Sequence, residues 1–311
     1  MDLKLLAHFA AIAEAGSMAL AARRLHVSQP ALSRQIRELE GLLGVQLFDR
    51  IGRRIVLSTD GAEMLARGRR LLAEAESFRA RGAALGGGKS GVLRVGATPQ
   101  FLEAAMPQVL KLYRRHHPEV EVRLFEGGGD RLARGVEHGE FHIGIPVLHN
   151  VEPLQSVLLY PLRVLAVMSR RHPLASRRAL TVSELKDETL LILGPEFQTR
   201  QLFEAACSAA RAEPRVLLES RSPQSVIALA AAGHGVAIVP SVIPLNRAGI
   251  AIAGLVRGTQ PLGGWARAVW DPRRYLPPHG ESFLRVLVAY TRRSYPGHRL
   301  KLTREVRRPA D

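Results

Sequence analysis

MALAARRLHVSQPALSRQIRELEGLL, residues 18–43, is the stretch of sequence that decides the first fold of this chain. Residues 18–25 have helical spacing, and a two-residue turn separates them from a second segment with the same period. Ser28 is a favourable N-cap residue, and Pro30 falls in the first turn of the following helix, where its missing N–H costs little. Two helices joined by a tight turn predict a helix-turn-helix.

The second helix of this pair has one apolar and one polar side. Apolar residues recur at helical spacing from Leu32 to Leu43, and Gly44 follows at a position where helices often end. The opposite side carries glutamine and arginine, whose side chains match the hydrogen-bonding edges of base pairs in the major groove. The sequence therefore predicts a DNA-binding surface made of Ser28, Gln29, Pro30, Ser33, Arg34 and Arg37.

A basic turn follows between two short apolar stretches. VQLF at 45–48 and RIVLS at 54–58 are typical of short strands, and a glycine bends the turn between them. This pattern predicts a β-hairpin wing in which Arg50, Arg53 and Arg54 contact phosphates or the minor groove. The alternative is a basic turn that only faces solvent.

A long helix is predicted to begin after Ser58. Bulky apolar residues recur in it every seven positions with small residues between them, which is typical of two closely packed helices. We therefore expect Met64, Leu71, Phe78 and Leu85 to form the seam of a close helix pair. The alternative is a helix that packs only within its own chain.

From residue 92 onwards, strand-like and helix-like segments alternate, which predicts an open α/β architecture with parallel strands. In such sheets, ligands bind beyond the carboxyl ends of the strands, next to helix N-termini. Three stretches occupy this position: 97–100, 194–199 and 220–224. Each hydroxyl group in them could instead cap its own helix.

Composition sets limits on the class of protein. The chain has 311 residues, enough for two or three domains, and its net charge of +16 favours a polyanionic partner or an anionic ligand. The single cysteine fits a reducing compartment, and the N-terminus lacks the pattern of a signal peptide. Because no apolar run is long enough to cross a membrane, we expect a cytoplasmic protein without a membrane partner.

The sequence offers no constellation for catalysis or metal binding. It has no G-x-S-x-G motif, and Cys207 has no obvious partner histidine. His138 and His142 lack the H-E-x-x-H order of a zinc site. LGGGKSG at 85–91 imitates a phosphate-binding loop, but the first glycine is out of register and no strand precedes it. We therefore expect no enzyme activity, no metal and no cofactor.

Residues 21–65 resemble the winged helix-turn-helix of LysR-type transcriptional regulators. The likeness is long and specific, and four motifs carry it: the run SQPALSRQI, the pair Leu39-Glu40, the run LG-x-x-LF-x-R that ends at Arg50, and L-[ST]-x-x-G from Leu57 to Gly61.

The resemblance implies an architecture for the whole chain. An N-terminal all-α winged helix-turn-helix and a long linker helix would precede a C-terminal α/β effector domain of two lobes, similar to periplasmic binding proteins. The linker helix would pair with its twin in a dimer. The expected boundaries are 1–58 for the DNA-binding domain, 59–88 for the linker helix and hinge, 89–294 for the effector domain (lobe one about 91–163 and 264–294, lobe two about 164–263) and 295–311 for a basic tail, either solvated or in contact with DNA or protein.

By position, the resemblance also implies an effector-binding cleft lined by Thr98, Pro99, Gln100, Gly127, Gly128, Pro195, Phe197, Gln198 and Ser222. Three glycines at 127–129 stand where relatives have a polar side chain, and His142 replaces a common aspartate. A larger effector, an anion held by backbone amides and the absence of an effector all remain open. Peroxide-sensing relatives have two cysteines in this region, so Cys207 alone argues against disulfide sensing.

The function that follows is sequence-specific DNA binding by a transcriptional regulator, with DNA binding or DNA bending controlled by a small-molecule effector. The expected partners are double-stranded DNA, further copies of the chain in a homodimer or homotetramer, and RNA polymerase if the protein is an activator. The alternatives are a solute-binding protein with a basic N-terminal extension and an enzyme on the same scaffold.

Overall fold

The computed structural model describes residues 2–51, 54–85, 91–148, 151–246, 248–295, 297–298 and 300. The side chains at 50, 51, 54, 80 and 83–85 lie outside this description. The described chain divides into two compact units. The first contains residues 2–85 with the short segments Glu137–Phe141 and Arg273–Pro277, and the second contains the rest.

The first unit is built from four helices and a two-stranded hairpin: α1 (Leu3–Ala15), α2 (Met18–Arg24), α3 (Gln29–Leu43), β1 (Phe48–Ile51), β2 (Arg54–Leu57) and α4 (Thr59–Leu85). Side chains cap the first three helices, because Asp2, Ser17 and Ser28 each accept a hydrogen bond from a backbone N–H in the first turn. Gly16 and Gly44 end α1 and α3 in the left-handed conformation, as their positions in the sequence predicted.

The core of this unit explains two of the family-like motifs. The carboxylate of Glu40 accepts a hydrogen bond from the backbone N–H of Leu47 at 2.8 Å, and Leu47 is fully buried. A Cβ added at Gly61 would lie 2.0 Å from the carbonyl oxygen of Leu47, so only glycine fits where α4 crosses this loop. The prediction of an extended piece from residue 45 is therefore wrong at its start, because Glu40 holds the Leu47 amide and the strand begins at Phe48.

The second unit is an α/β domain. Its strands are β3 (Gly91–Ala97), β4 (Val120–Glu126), β5 (Ile143–Ile145), β6 (Gln155–Ser169), β7 (Ala179–Thr181), β8 (Thr189–Leu193), β9 (Arg215–Ser220), β10 (Val236–Pro240), β11 (Ile250–Arg257), β12 (Gln260–Pro261) and β13 (Gly263–Trp270). Its helices are α5 (Pro99–Ala104), α6 (Met106–Tyr113), α7 (Gly129–Glu137), α8 (Gln198–Ala210), α9 (Pro223–Ala231) and α10 (Pro278–Arg293), with 3-10 turns at Pro173–Ser176 and Val182–Leu185.

The strands follow the order β4-β3-β5-β13-β6-β10-β8-β9, with β11 also paired to β6. The long strand β6 changes neighbours at one point: Arg163 is the last residue that pairs with β13, and Val164 is the first that pairs with β10. This point divides the unit into lobe one (β3, β4, β5, β13 and the first part of β6) and lobe two (the rest of β6 with β7 to β12). The two lobes therefore share one strand.

The expectation of parallel strands is only partly correct. The pairs β3-β4, β3-β5, β8-β9 and β8-β10 are parallel. The pairs that β6 makes with β13, β10 and β11 are antiparallel, as is the pair β13-β5. The sheet is mixed because β6 leads from lobe one into lobe two and β13 returns in the opposite direction.

Each lobe has a buried core. Tyr113 in lobe one donates its hydroxyl to the backbone oxygen of His279 at 3.0 Å and meets Phe283 edge to face. In lobe two, aliphatic residues of β6, β8 and β10 pack with Phe203 and Cys207. Burial raises the pKa of the Cys207 thiol to about 11, as expected of a small buried residue. Among the described residues, no helix is long and apolar enough to cross a membrane.

Candidate DNA-binding surface and ligand cleft

The helix α3 separates its two sides as the sequence predicted, except at Leu42, which is 60% exposed instead of facing the core. Leu32, Ile36 and Leu39 are buried in the core of the first unit. On the other side Ser28, Gln29, Pro30, Arg34 and Arg37 are exposed and Ser33 is half-buried. The hydroxyl of Ser28 accepts a hydrogen bond from the N–H of Ala31 at 3.3 Å, which fixes the start of the helix.

Gln35 has a different role from the exposed glutamine of the same helix. Its side-chain oxygen lies 2.7 Å from Nδ1 of His8, which is buried in α1. A buried histidine requires such a partner. Gln35 therefore ties α3 to α1 instead of facing outward with Gln29 and Arg34.

The wing is a true hairpin. The strands β1 and β2 pair antiparallel, with Arg50 opposite Ile55 and Ile51 opposite Arg54. The residue Arg53 and the side chains of Arg50 and Arg54 lie outside the described part of the chain. The backbone register thus supports the wing, and the contacts of its arginines stay a prediction.

The predicted seam on α4 has two strongly exposed members. Leu71 and Phe78 are 47% and 82% exposed, which is unusual for large apolar side chains on a helix. Met64 is half-buried and packs against the core of the first unit instead. The side chain of Leu85 lies outside the described residues.

The second unit contains a cleft of about 330 Å³ between its lobes. The cleft lies where polypeptide leaves the carboxyl ends of β3, β4 and β8, the position that open α/β sheets use for ligands. Its lining consists of Thr98, Pro99, Gln100, Glu126, Gly127, Gly128, Gly129, Ile145, Val147, Tyr160, Leu162, Glu196, Phe197, Gln198, Thr199, Arg221, Pro240 and Val242.

Of the predicted effector residues, Thr98, Pro99, Gln100, Gly127, Gly128, Phe197 and Gln198 line this cleft. Pro195 and Ser222 do not line it. The hydroxyl of Ser222 accepts a hydrogen bond from the N–H of Ser225 at 3.3 Å, so it caps α9. Thr98 precedes α5 but makes no such capping bond, which leaves its hydroxyl to the cleft.

Several lining residues were not predicted. Glu126 ends β4 immediately before the three glycines, so the rule that ligands bind beyond strand ends could have found it if it had been applied to β4. Tyr160 lies in the first part of β6 and stacks with Phe101 and Tyr295. No sequence signal marks Tyr160, because it reaches the cleft only through the pairing of distant strands.

Two carboxylates in the cleft differ in their surroundings. Glu196 accepts a hydrogen bond from Nε of Arg221 at 2.7 Å, so these two charges balance. Glu126 makes no hydrogen bond or ion pair within the part of the chain that the structure describes. Burial raises the pKa of the Tyr160 phenol well above its usual range, so this group stays protonated.

The glycine-rich wall lets two segments approach each other closely. A Cβ added at Gly128 would lie 2.8 Å from the backbone oxygen of Glu196, on the opposite wall of the cleft. A Cβ at Gly127 would meet only side chains, the nearest being that of Arg131 at 3.2 Å. The second glycine of the three is therefore the one that the spacing of the walls requires.

His142 lies next to the first strand of lobe one, outside the cleft lining. Its Nδ1 accepts a hydrogen bond from the backbone N–H of Arg94 at 3.2 Å, and its own backbone N–H donates to the oxygen of Arg94 at 2.9 Å. Burial, with the charges of Arg94 and His279, lowers the pKa of His142 to about 3. In the described residues, no group of His, Cys, Asp and Glu side chains could hold a metal ion.

These features define a class of protein that joins a winged helix-turn-helix to a two-lobed domain with a ligand-sized cleft. The family description "Bacterial regulatory helix-turn-helix protein, lysR family" matches residues 3–62, and "LysR substrate binding domain" matches residues 86–292. The chain therefore belongs to the LysR family of bacterial transcriptional regulators. It is a DNA-binding transcriptional regulator with an effector-binding domain, and the family consists of regulators and not of enzymes.

Known relatives agree with this assignment. The transcriptional regulator XapR of Escherichia coli is 32% identical over 76% of this chain and 82% of its own length. AlsR of Bacillus subtilis is 31% identical over 78% of this chain and 81% of its own length. The structure of full-length CbnR with its target DNA has a TM-score of 0.64 and 26% identity, and covers 94% of this chain and 100% of CbnR. Full-length OxyR from Pseudomonas aeruginosa, at 24% identity over 94% of this chain and 95% of OxyR with a TM-score of 0.68, shares the fold.

Proposed function

We propose that α3 binds the major groove through Gln29, Ser33, Arg34 and Arg37, with Ser28 and Pro30 at its N-terminus against the DNA backbone. The observation that carries this proposal is the exposure of Gln29, Arg34 and Arg37 on a helix whose other side is buried in the core. Arg50, Arg53 and Arg54 of the wing add contacts to phosphates or the minor groove.

The same regulator acts as a homodimer or homotetramer. Supporting this, Phe78 and Leu71 expose apolar surface on α4 that a second copy of the helix would cover. Two copies of α3 would then bind two half-sites separated by one helical turn of DNA or a multiple of it. If the regulator is an activator, RNA polymerase is a further partner. Because its target is chromosomal DNA, the protein acts in the cytoplasm.

The cleft holds a small-molecule effector. Thr98, Gln100, Phe197 and Gln198, with the backbone of Gly127 and Gly128, are the groups that support this assignment. The effector controls DNA binding or DNA bending by a shift of populations: it changes the DNA complex only if it binds one arrangement of the protein better than another.

DNase I footprinting of the region upstream of the protein's own gene tests the DNA-binding part of this proposal. We expect two protected half-sites spaced by about one helical turn or a multiple of it. Protection that follows no sequence, or a single isolated half-site, would contradict paired sequence-specific binding.

A further inference from the structure

We propose that the ligand of the cleft carries a cationic nitrogen, such as an ammonium or amidinium group, that binds the carboxylate of Glu126. This inference rests on the proposed function, since it takes the cleft as the effector site. It names a chemical class of ligand for that site.

The charges of the lining support a cation. Among the described residues that line the cleft, the charged ones are Glu126, Glu196 and Arg221. Arg221 donates to Glu196, so this pair leaves Glu126 as the group without a counter-charge. A simple carboxylate in the cleft would be repelled by Glu126. Arg221 is strongly exposed and spends its Nε on Glu196, so the full positive charge available to such a carboxylate is partly neutralised and screened by solvent. A cationic nitrogen would gain a charge-assisted hydrogen bond at the same place.

The position of Glu126 is that of a ligand-binding residue. Glu126 is opposite Ala97 in the pairing of β3 and β4, so it lies beside the carboxyl end of β3 and the start of the loop at Thr98. Gly127 after it donates its N–H to the oxygen of Ala97 at 3.2 Å, which fixes the backbone at this point. The backbone of Glu126 therefore belongs to a fixed wall of the cleft, and its side chain is exposed at the edge strand β4, where a ligand can reach it.

Two polar side chains of the lining are largely covered by protein. Gln100 and Thr199 are 8% and 3% exposed, and both line the cleft. Neither side chain makes a hydrogen bond within the described residues. Because they lie on opposite lobes, they offer hydrogen-bonding groups to a polar ligand from both sides of the cleft.

The remaining lining limits the size and nature of the ligand. Tyr160 stacks with Phe101 and Tyr295 and also lines the cleft. Ile145, Val147 and Leu162 provide apolar surface around it. A volume of about 330 Å³ is at the small end for ligand pockets. A nitrogen cation on a compact apolar body fits these walls.

The N-termini of α7 and α8 also reach the cleft through Gly129 and Gln198. Their partial positive charge, about half a unit each, is smaller than the full charge of Glu126. Asp130 in the first turn of α7 offsets part of it. These helix ends could hold a carboxylate on a ligand that also carries the cation. Both a simple amine and an amino acid are therefore sources of the proposed group.

Calorimetric titration of the full chain with four probes of similar size tests the inference. The probes are benzylamine, benzyl alcohol, benzoate and phenylglycine, which place a cation, a neutral group, an anion, and a cation with an anion on the same ring. We expect benzylamine or phenylglycine to bind best and benzoate worst. Glu126→Gln should weaken binding of the better cationic probe about tenfold to a hundredfold and leave benzyl alcohol within about twofold.

Glu121→Gln is the matched control, because Glu121 lies on the same strand, is exposed, pairs with Arg123 and does not line the cleft. Three results would overturn the inference. Benzoate could bind more tightly than benzylamine, the Glu126→Gln variant could bind the cationic probe as tightly as the wild type does, or none of the probes could show saturable binding. Operator binding by the same preparations separates the two proposals. A chain that binds its operator specifically and prefers benzoate refutes only the ligand class, and a chain that prefers the cation and binds no DNA specifically refutes only the DNA-binding role.

Discussion

Lowering the pH should destabilise the second unit through His142. The imidazole is half-buried, and its Nδ1 accepts a hydrogen bond from the N–H of Arg94, so the folded protein requires the neutral form with its proton on Nε2. Protonation would place a second N–H against that of Arg94.

The size of the effect follows from the two pKa values. Folding lowers the pKa of His142 from the usual 6.5 to about 3, so the unfolded chain takes up the proton first. The fold has its full stability above about pH 6.5, where His142 is neutral in both the folded and the unfolded chain. The free energy of unfolding then decreases as the pH falls towards 3, because only the unfolded chain binds the proton. At pH 5 the loss is about 2 kcal/mol relative to pH 7.5. Burial also lowers the pKa of His279 and His117, so these residues likewise reduce the stability of the fold as the pH falls.

Tryptophan fluorescence can follow this unit alone, because both tryptophans of the chain, Trp265 and Trp270, lie on β13. Urea unfolding of the full chain would be compared at pH 7.5 and pH 5 for the wild type and two variants. His142→Asn keeps an acceptor for the Arg94 N–H and does not titrate, so about 2 kcal/mol of the pH dependence should disappear. His142→Phe should lose the same pH dependence and be less stable at both pH values. If His142→Asn retains the wild-type difference between the two pH values, the reasoning is refuted.

Three further predictions concern the DNA-binding surface, the seam and the cleft. Arg34→Ala should cost about 1–3 kcal/mol of operator binding in competition assays and reduce the preference for the operator, and an unchanged preference would remove Arg34 from base recognition. Replacing both Leu71 and Phe78 by Glu should dissociate the dimer, because burying two charged side chains in an apolar interface is unfavourable. Analytical sedimentation measures this, and an intact dimer would show that the two residues do not form the interface. Gly128→Ala should lower the free energy of unfolding in urea by about 1–3 kcal/mol, because the new Cβ would meet a backbone oxygen. Gly127→Ala should lower it much less, because the flexible side chain of Arg131 can move aside. Equal losses of stability in the two variants would argue against close contact of the walls.

The DNA-binding unit was largely predictable because its signals are local. Helix caps, the apolar side of α3 and the glycines that end α1 and α3 are set by residues a few positions apart, and the structure confirms them. The start of β1 was not predictable from such patterns. It depends on the carboxylate of Glu40, seven residues before the amide that it binds, and this contact exists only once α3 has formed.

The cleft was predictable where it follows strand ends in sequence. Thr98 and Phe197 were found in this way, and both line it. The same rule led to the end of β9, where Arg221 lines the cleft, whereas the hydroxyl of the next residue, Ser222, caps α9. Tyr160 and Val242 reach the cleft through the order of strands around β6, which no short stretch of sequence encodes.

The charge of the whole chain and the charge of the cleft point to different partners for a physical reason. A polyanion such as DNA interacts with many basic groups at once, so the net charge of +16 is informative about it. A small ligand in a cleft interacts mainly with groups within about 8 Å, because salt screens the rest. At that distance the pairing of individual side chains decides, and Arg221 is paired whereas Glu126 is not. The expectation of an anionic ligand came from the sum over the chain, and the local balance of charge favours a cationic nitrogen in the cleft instead.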